Sequence, residues 1–245
     1  MSELEWDLRI TQQLMLRKLG KRFQTASDSL FSIFDRLDHA RYHYHQVAAP
    51  WAEIMERARS ADERWRILGW RIKDDEERFQ RQVEQTERTA NLVACVQALH
   101  AIPDTLAFML FYCLDVALPP KRKESDISIG NVVRWLGAHV NGTPFVEVLT
   151  KLTSSPGYAQ LAALSNHGKH RSIVSDMMHA DVTGTDTVPL RLRFRAFAFK
   201  GTQYASVDAL PLLRQEFDRI TPLILECGAL LDAHLGSLPD RARLA

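Results

Sequence analysis

The chain lacks most of the features that announce a chemistry. It has no Gly-rich phosphate loop, no Gly-x-Ser-x-Gly elbow and no His-Glu-x-x-His. That removes the common nucleotide-cradling, serine-hydrolase and zinc-protease signatures. It has no Glu-x-x-His either, so a ferritin-like di-iron site is not expected. Cysteine is scarce, at three residues, with no Cys-x-x-Cys pair. An odd number in apolar context argues against a disulfide framework, and Cys95, Cys113 and Cys227 read as reduced core residues. No sign of charge dominates: the net charge is +1. There is thus no global field to recruit nucleic acid or a membrane, and a basic function needs a local patch. The apolar run Thr105–Leu118 contains Asp115 and is short for a membrane span. The first residues, MSELEWDLRI, lack a basic region followed by an apolar one. The expectation is a cytoplasmic protein with no membrane partner.

What is present is helical periodicity. The most apolar stretch, Leu92–Leu118, reads as the central helix. On an ideal helix Gln97, His100, Asp104 and Asp115 fall within about 60° of one another, forming one narrow polar stripe. Before it, the pattern predicts a helix over Leu4–Leu19 ended by Gly20. A second starts at Ser27 or Asp28 and runs to Val47, stopped by Pro50. Next come a short helix over Trp51–Arg59, a capping box at Ser60–Glu63, and a long solvated helix over Trp65–Arg88. The last has a thin apolar stripe through Trp65, Leu68, Ile72, Phe79 and Val83. Pro103 either kinks the central helix or starts a new one.

The segment Pro119–Asp126 reads as a linker. Helices over Ser128–Val140 and Pro144–Leu152 follow, the second with Thr143 as its cap, then one over Tyr158–Val174. Residues His179–Thr187 read as a loop. Leu190, Leu192, Phe194 and Ala196 then alternate with arginines, as in a half-buried strand. Lys200–Thr202 turns the chain into a second strand over Gln203–Ser206. Asp208 caps a last helix, Ala209–Leu235, with Pro222 inside it. The fold class is mainly α: a helical bundle with one β-hairpin inserted before the C-terminal helix. Residues 1–245 read as a single helical domain, with N-terminal helices over 1–90, a core over 91–174, and the hairpin plus last helix over 188–245.

Four groups of residues bear on function. The first pairs His100 with Asp104, one turn apart; a carboxylate beside an imidazole suits a general base. The second is Asn166, His167, Lys169, His170 and Arg171. Lys169 and Arg171 suit a phosphate and His170 a proton transfer, although cations also suit a helix C-terminus for structural reasons. If this cluster faces the acids Asp104 and Asp115, the two form a catalytic cleft or an ion-pair network. The third, Asp35, Asp38, His39, His43 and His45, has one i, i+4 histidine pair and no identifiable third ligand, so no metal is expected. The fourth is the strand face Arg191, Arg193 and Arg195, with Lys200 at the turn. It suits a nucleic-acid backbone, or the protection of an edge strand.

A helix carrying His-x-x-x-Asp (His100, Asp104), followed by Asn-x-x-Lys-His-Arg (Asn166, Lys169, His170, Arg171), resembles the HEPN-like proteins of bacteria over roughly residues 88–174. The ribonucleases of that superfamily carry Arg, four to six residues, then His; Arg134–His139 and Arg36–His43 have this spacing. The resemblance implies a protein of RNA metabolism or phage defence. As an endoribonuclease it needs no metal or cofactor and shares its site across a homodimer. His170, His100 or His139 takes the proton of a ribose 2′-OH, Lys169 and Arg171 stabilise the charged phosphate, and Asp104 orients a histidine. The alternative is a non-catalytic interaction or sensor module with a protein partner, in which Asp104 and Asp115 pair with Lys169 and Arg171 to fix the bundle.

Overall fold

The computed structural model describes residues 6–68, 74–138, 142–180, 188 and 190–240. Leu4, Ile72, His139 and most of the expected loop over 179–187 lie outside these residues. The protein is mainly α, with a small antiparallel strand region before the C-terminal helix. The helices are α1 (Leu8–Lys18), α2 (Phe23–Arg57), α3 (Ala61–Ile67), α4 (Asp75–Cys113), α5 (Ile129–Leu136), α6 (Thr143–Thr153), α7 (Pro156–His170) and α8 (Ala209–Ser237). The strands are β1 (Asp176–Ala180), β2 (Leu190–Phe194), β3 (Phe197–Phe199), β4 (Thr202–Tyr204) and β5 (Val207–Asp208). Contacts divide the chain into two compact units. Unit 1 is Met1–Leu37, His100–Ala159 and Phe217–Ala245; unit 2 is Asp38–Leu99 and Gln160–Glu216.

Several helix ends differ from expectation. Helix α2 runs through Pro50 to Arg57. Losing one N–H and meeting the preceding turn costs about 3 kcal/mol. Burial of Val47, Trp51 and Ala58 on either side of the proline keeps the helix continuous. Pro103 and Pro222 are likewise inside α4 and α8. The expected solvated helix over Trp65–Arg88 is two helices: α3 ends at Ile67, and Asp74 begins α4 by accepting a hydrogen bond from the Glu77 N–H at 2.9 Å. Ser60 precedes α3 without a side-chain cap bond, so the capping box is not formed. Gly142, not Thr143, is the N-cap of α6. A Cβ there would lie 2.0 Å from the Leu136 carbonyl oxygen; only glycine allows so close an approach to the end of α5.

The central apolar helix stops at Cys113, short of Leu118. Asp115 adopts a left-handed φ of 56°, and the Val116 N–H bonds back to the Phe111 carbonyl at 3.2 Å. That is a Schellman-type termination, with Asp115 in the position glycine usually takes. An 18-residue window of α4 is long and apolar enough to cross a bilayer by length and composition; 61% of it is buried inside the protein, as in a core helix.

In unit 1 the core is built from Met15, Leu30, Ile33, Ile102, Leu106, Met109, Leu110, Leu136, Leu149, Ile224 and Leu231, all at or near zero exposure. The α6 carbonyl end is closed by Arg219, which donates to the oxygens of Lys151 and Leu152 at 2.9 and 2.8 Å. The start of α1 is tied to α8 through Thr11. Its hydroxyl accepts from Trp6 Nε1 and donates to Asp232 Oδ1, each at 2.6 Å.

In unit 2, β2 is the middle of a three-stranded antiparallel sheet ordered β1-β2-β5. Met178 pairs with Leu192 and Phe194 with Val207. Leu190, Leu192 and Phe194 point inward, as the alternation predicts. The expected return strand pairs elsewhere: β4 forms a separate hairpin with β3, with Phe197 opposite Tyr204. Asp176 of β1 is 2% exposed. It accepts from Arg88 Nε of α4 at 2.8 Å and from the Thr89 hydroxyl.

Two variants test these ties. Asp176→Ala strands the Arg88 guanidinium among buried groups and is expected to cost about 3–5 kcal/mol, read as a fall in the denaturant midpoint. Asp232 behaves in the opposite way. Burial holds its carboxyl above the ordinary carboxylate range; the Thr11 hydrogen bond opposes this, and the charge of Asp7 adds to it. A raised folded-state pKa means that the charged form costs stability above that pKa, and the cost disappears as pH falls through it. Asp232→Asn is therefore expected to raise the melting temperature near neutral pH. The advantage should vanish in acid, as measured by thermal melts across a pH series.

Candidate functional site

Of the polar residues of the central stretch, His100, Asp104 and Asp115 belong to unit 1 and each has a partner there, while Gln97 belongs to unit 2. Ser128 precedes α5 but makes no side-chain cap bond. The cap comes from α4 instead: Asp104 Oδ1 accepts from the Ile129 N–H at 2.9 Å. A carboxylate at a helix N-terminus satisfies an orphan donor and suits the positive end of the dipole. Asp115 lies beyond the helix, so the ideal-helix stripe does not extend to it. It pairs with Arg22 Nη1 at 2.5 Å, and the same guanidinium nitrogen donates to the Tyr112 carbonyl at 3.0 Å. The His100 ring lies against Tyr158, 5.9 Å between centroids and 19° from parallel. Burial pushes the Tyr158 hydroxyl pKa well up; the Asp104 charge adds to this and Arg219 opposes it. Tyr158 therefore stays neutral in the physiological range.

The second cluster belongs to unit 2 and occupies the last turns of α7, which stops at His170 rather than running on to Val174. Asn166 is half-buried, while Lys169, His170 and Arg171 are exposed. His167 turns inward. Its Nδ1 lies 2.6 Å from the Ser172 carbonyl oxygen, and its ring packs edge-on against Phe197 and Phe199 at 5.3 and 6.0 Å. The Arg171 guanidinium sits 5.4 Å from the centroid of Phe199. The partners named for the Asp104 and Asn166–Arg171 groups lie within their own units.

The arginine stripe on β2 is partly spent. Arg191 Nη1 and Arg193 Nε each lie 2.9 Å from an Asp208 carboxylate oxygen, and Arg193 also donates to the Ser206 carbonyl at 2.9 Å. Arg195 is exposed. At Arg193 β2 is paired on both sides, with Met177 of β1 and Asp208 of β5, so that arginine does not stand on a sheet edge. Arg134 is exposed and reaches Asn131 Oδ1 at 3.4 Å. His43 bonds Asn91 Oδ1 through Nδ1 at 2.8 Å. Among the described residues no group of three His, Cys, Asp or Glu side chains converges to hold a metal. The three cysteines are buried. Burial pushes the Cys95 thiol up to about 12 and those of Cys113 and Cys227 up as well, so none is a ready thiolate nucleophile.

A cavity of about 20 Å³ in unit 2 is lined by Val93, Val96, Gln97, Leu164, Ser165 and Phe194, among others. Its volume admits a water but not a nucleobase. The residues that sequence reasoning passed over are Arg22, Arg88, Asp176 and the rings of Phe197, Phe199 and Tyr204. Of these, only the alternation of Phe197 and Phe199 just before the turn at Lys200 left a local signal. Comparisons with protein families, curated proteins and solved structures find no match.

The cap assigned to Asp104 is testable. Asp104→Ala is expected to lower stability by about 1 kcal/mol. Asp104→Asn, which keeps an acceptor without the charge, should lose less, as read from urea unfolding. An unchanged midpoint in both would remove the capping role.

Proposed function

We propose that this chain is a HEPN-like bacterial protein of RNA metabolism that meets RNA at the end of α7. The observation that carries the reading is the exposure of Lys169, His170 and Arg171 together at that end. No acidic residue falls between Gly157 and Ser175. In a protein of net charge +1 this is a local cationic patch, and phosphate is the ligand it suits.

As a metal-independent endoribonuclease, the chemistry runs as follows. The ribose 2′-oxygen attacks the adjacent phosphorus while His170 takes its proton. Lys169 and Arg171 stabilise the charge on the phosphoryl oxygens, and the bond to the 5′-oxygen breaks. A 2′,3′-cyclic phosphate and a 5′-hydroxyl remain, the leaving oxygen taking its proton from solvent. The same reading gives a cytoplasmic protein, working as a homodimer without a cofactor. A second reading, a non-catalytic interaction or sensor module, is favoured by a separate observation: Asp104 caps α5 and Asp115 pairs with Arg22. Carboxylates engaged in this way serve the bundle.

Incubation with a mixed RNA pool, in chelator and without it, separates the two. Cleavage in both conditions that His170→Ala abolishes without moving the melting temperature supports the ribonuclease. RNA that is bound but left whole supports the module, and RNA neither bound nor cut removes RNA as the ligand.

A further inference from the structure

The β3–β4 hairpin and the end of α7 meet around one ring. Arg171 lies 5.4 Å from the Phe199 centroid, and so does Lys200 Nζ. Twice that distance is the most that can separate the two cations. Among the described residues neither has a carboxylate partner, and the hairpin segment from Val188 to Val207 contains no acidic residue at all. The nearest acids in sequence are taken: Asp208 by Arg191 and Arg193, and Asp176 by Arg88. A ring attracts a cation, but two cations held at one ring repel each other, and an anion between them relieves this. Beside them Phe197 and Tyr204 are half-buried and stacked, 5.0 Å apart and 10° from parallel. Cations interleaved with aromatic rings are how single-stranded nucleic acid is held, with phosphates on the charges and bases on the rings. An acidic peptide would use the charges and leave the rings idle.

We propose that the end of α7 and the β3–β4 hairpin together form a docking surface for single-stranded RNA, with Arg171 and Lys200 as its phosphate contacts and the Phe197–Tyr204 stack as its aromatic wall. This rests on the reading of RNA as the ligand given above, and it names the surface, which lies partly outside the residues of the proposed cleavage chemistry. The turn provides a clean test. Lys200 and Gly201 are its two central residues and both have positive φ, 48° and 81°. That is the pattern of a type I′ turn, in which Asn-Gly is the preferred pair. Lys200→Asn therefore removes the cation while suiting the turn.

The experiment is the binding of a labelled single-stranded RNA to the full chain, followed by anisotropy over a salt series. Lys200→Asn and Arg171→Gln are each expected to weaken binding several-fold. Each should also flatten the slope of log K against log salt by about 0.7, the loss of one phosphate contact on a single strand, with melting temperatures unchanged. Arg17→Gln, an exposed cation of α1, should bind as the wild type does. If the wild type binds RNA and both hairpin-end variants match it in affinity and slope, the surface is wrong while the RNA reading stands. If the wild type binds no RNA, both fall. Polyglutamate bound more tightly than RNA would assign the surface to an acidic protein partner and overturn the proposal.

Discussion

The burial of α4 is the constraint on which the rest depends. Its residues from Leu92 to Cys113 include Leu92, Cys95, Val96, Leu99, Ile102, Leu106, Met109 and Leu110, all 3% exposed or less. At roughly 25 cal/mol per Å² of apolar surface removed from water, so many buried side chains make the helix a large source of stability. The same burial makes any polar group on it costly unless partnered. The partners are specific: Asp176 receives Arg88 and Thr89, the Ala40 carbonyl receives the Cys95 thiol, and Arg22 covers the Tyr112 carbonyl. Much of the chain's polar sequence serves to finish this helix and the elements packed around it.

That demand shapes the charge left for function. Acids and bases are nearly equal in number, but they are not distributed alike. Asp104, Asp115, Asp176 and Asp208 are each committed to a backbone N–H or a guanidinium. Lys169, His170, Arg171, Arg195 and Lys200 remain exposed in unit 2. A neutral total with locally unmatched cations does not attract a polyanion from afar, since screening ends such fields within about 8 Å at physiological salt. It holds phosphates that come into contact, which makes the aromatic rings beside the cations important to specificity and residence.

Some of this was legible in the residues and some was not. The fold class, the strand parity of Leu190, Leu192 and Phe194, the turn at Lys200–Gly201, and helices α6 and α8 within a residue or two follow from periodicity and turn chemistry. Strand β1 was missed because Asp176–Ala180 has no clear polar–apolar alternation. It becomes a strand through its pairing with β2 and the anchoring of Asp176. Pro50 looked like a stop because local rules weigh one lost hydrogen bond and not the burial of Val47 and Trp51 around it. Asp115 looked like a helix-face residue because an ideal helix was drawn past the point where the Schellman turn ends it.

The sequence by itself determined that the chain is mainly helical, which faces are apolar, and where cations are concentrated. These depend on spacings of a few residues, which the covalent chain carries directly. Only the tertiary structure decided which polar groups remain for function. Asp104 could have served as a base or as a cap, and Arg191 could have met a phosphate or Asp208. Arg171 and Lys200 could have been two scattered surface charges. The choice depends on pairings between groups distant in the chain, such as Asp104 with Ile129 or Arg171 with Phe199. The energy of each pairing exists only when folding brings the two together.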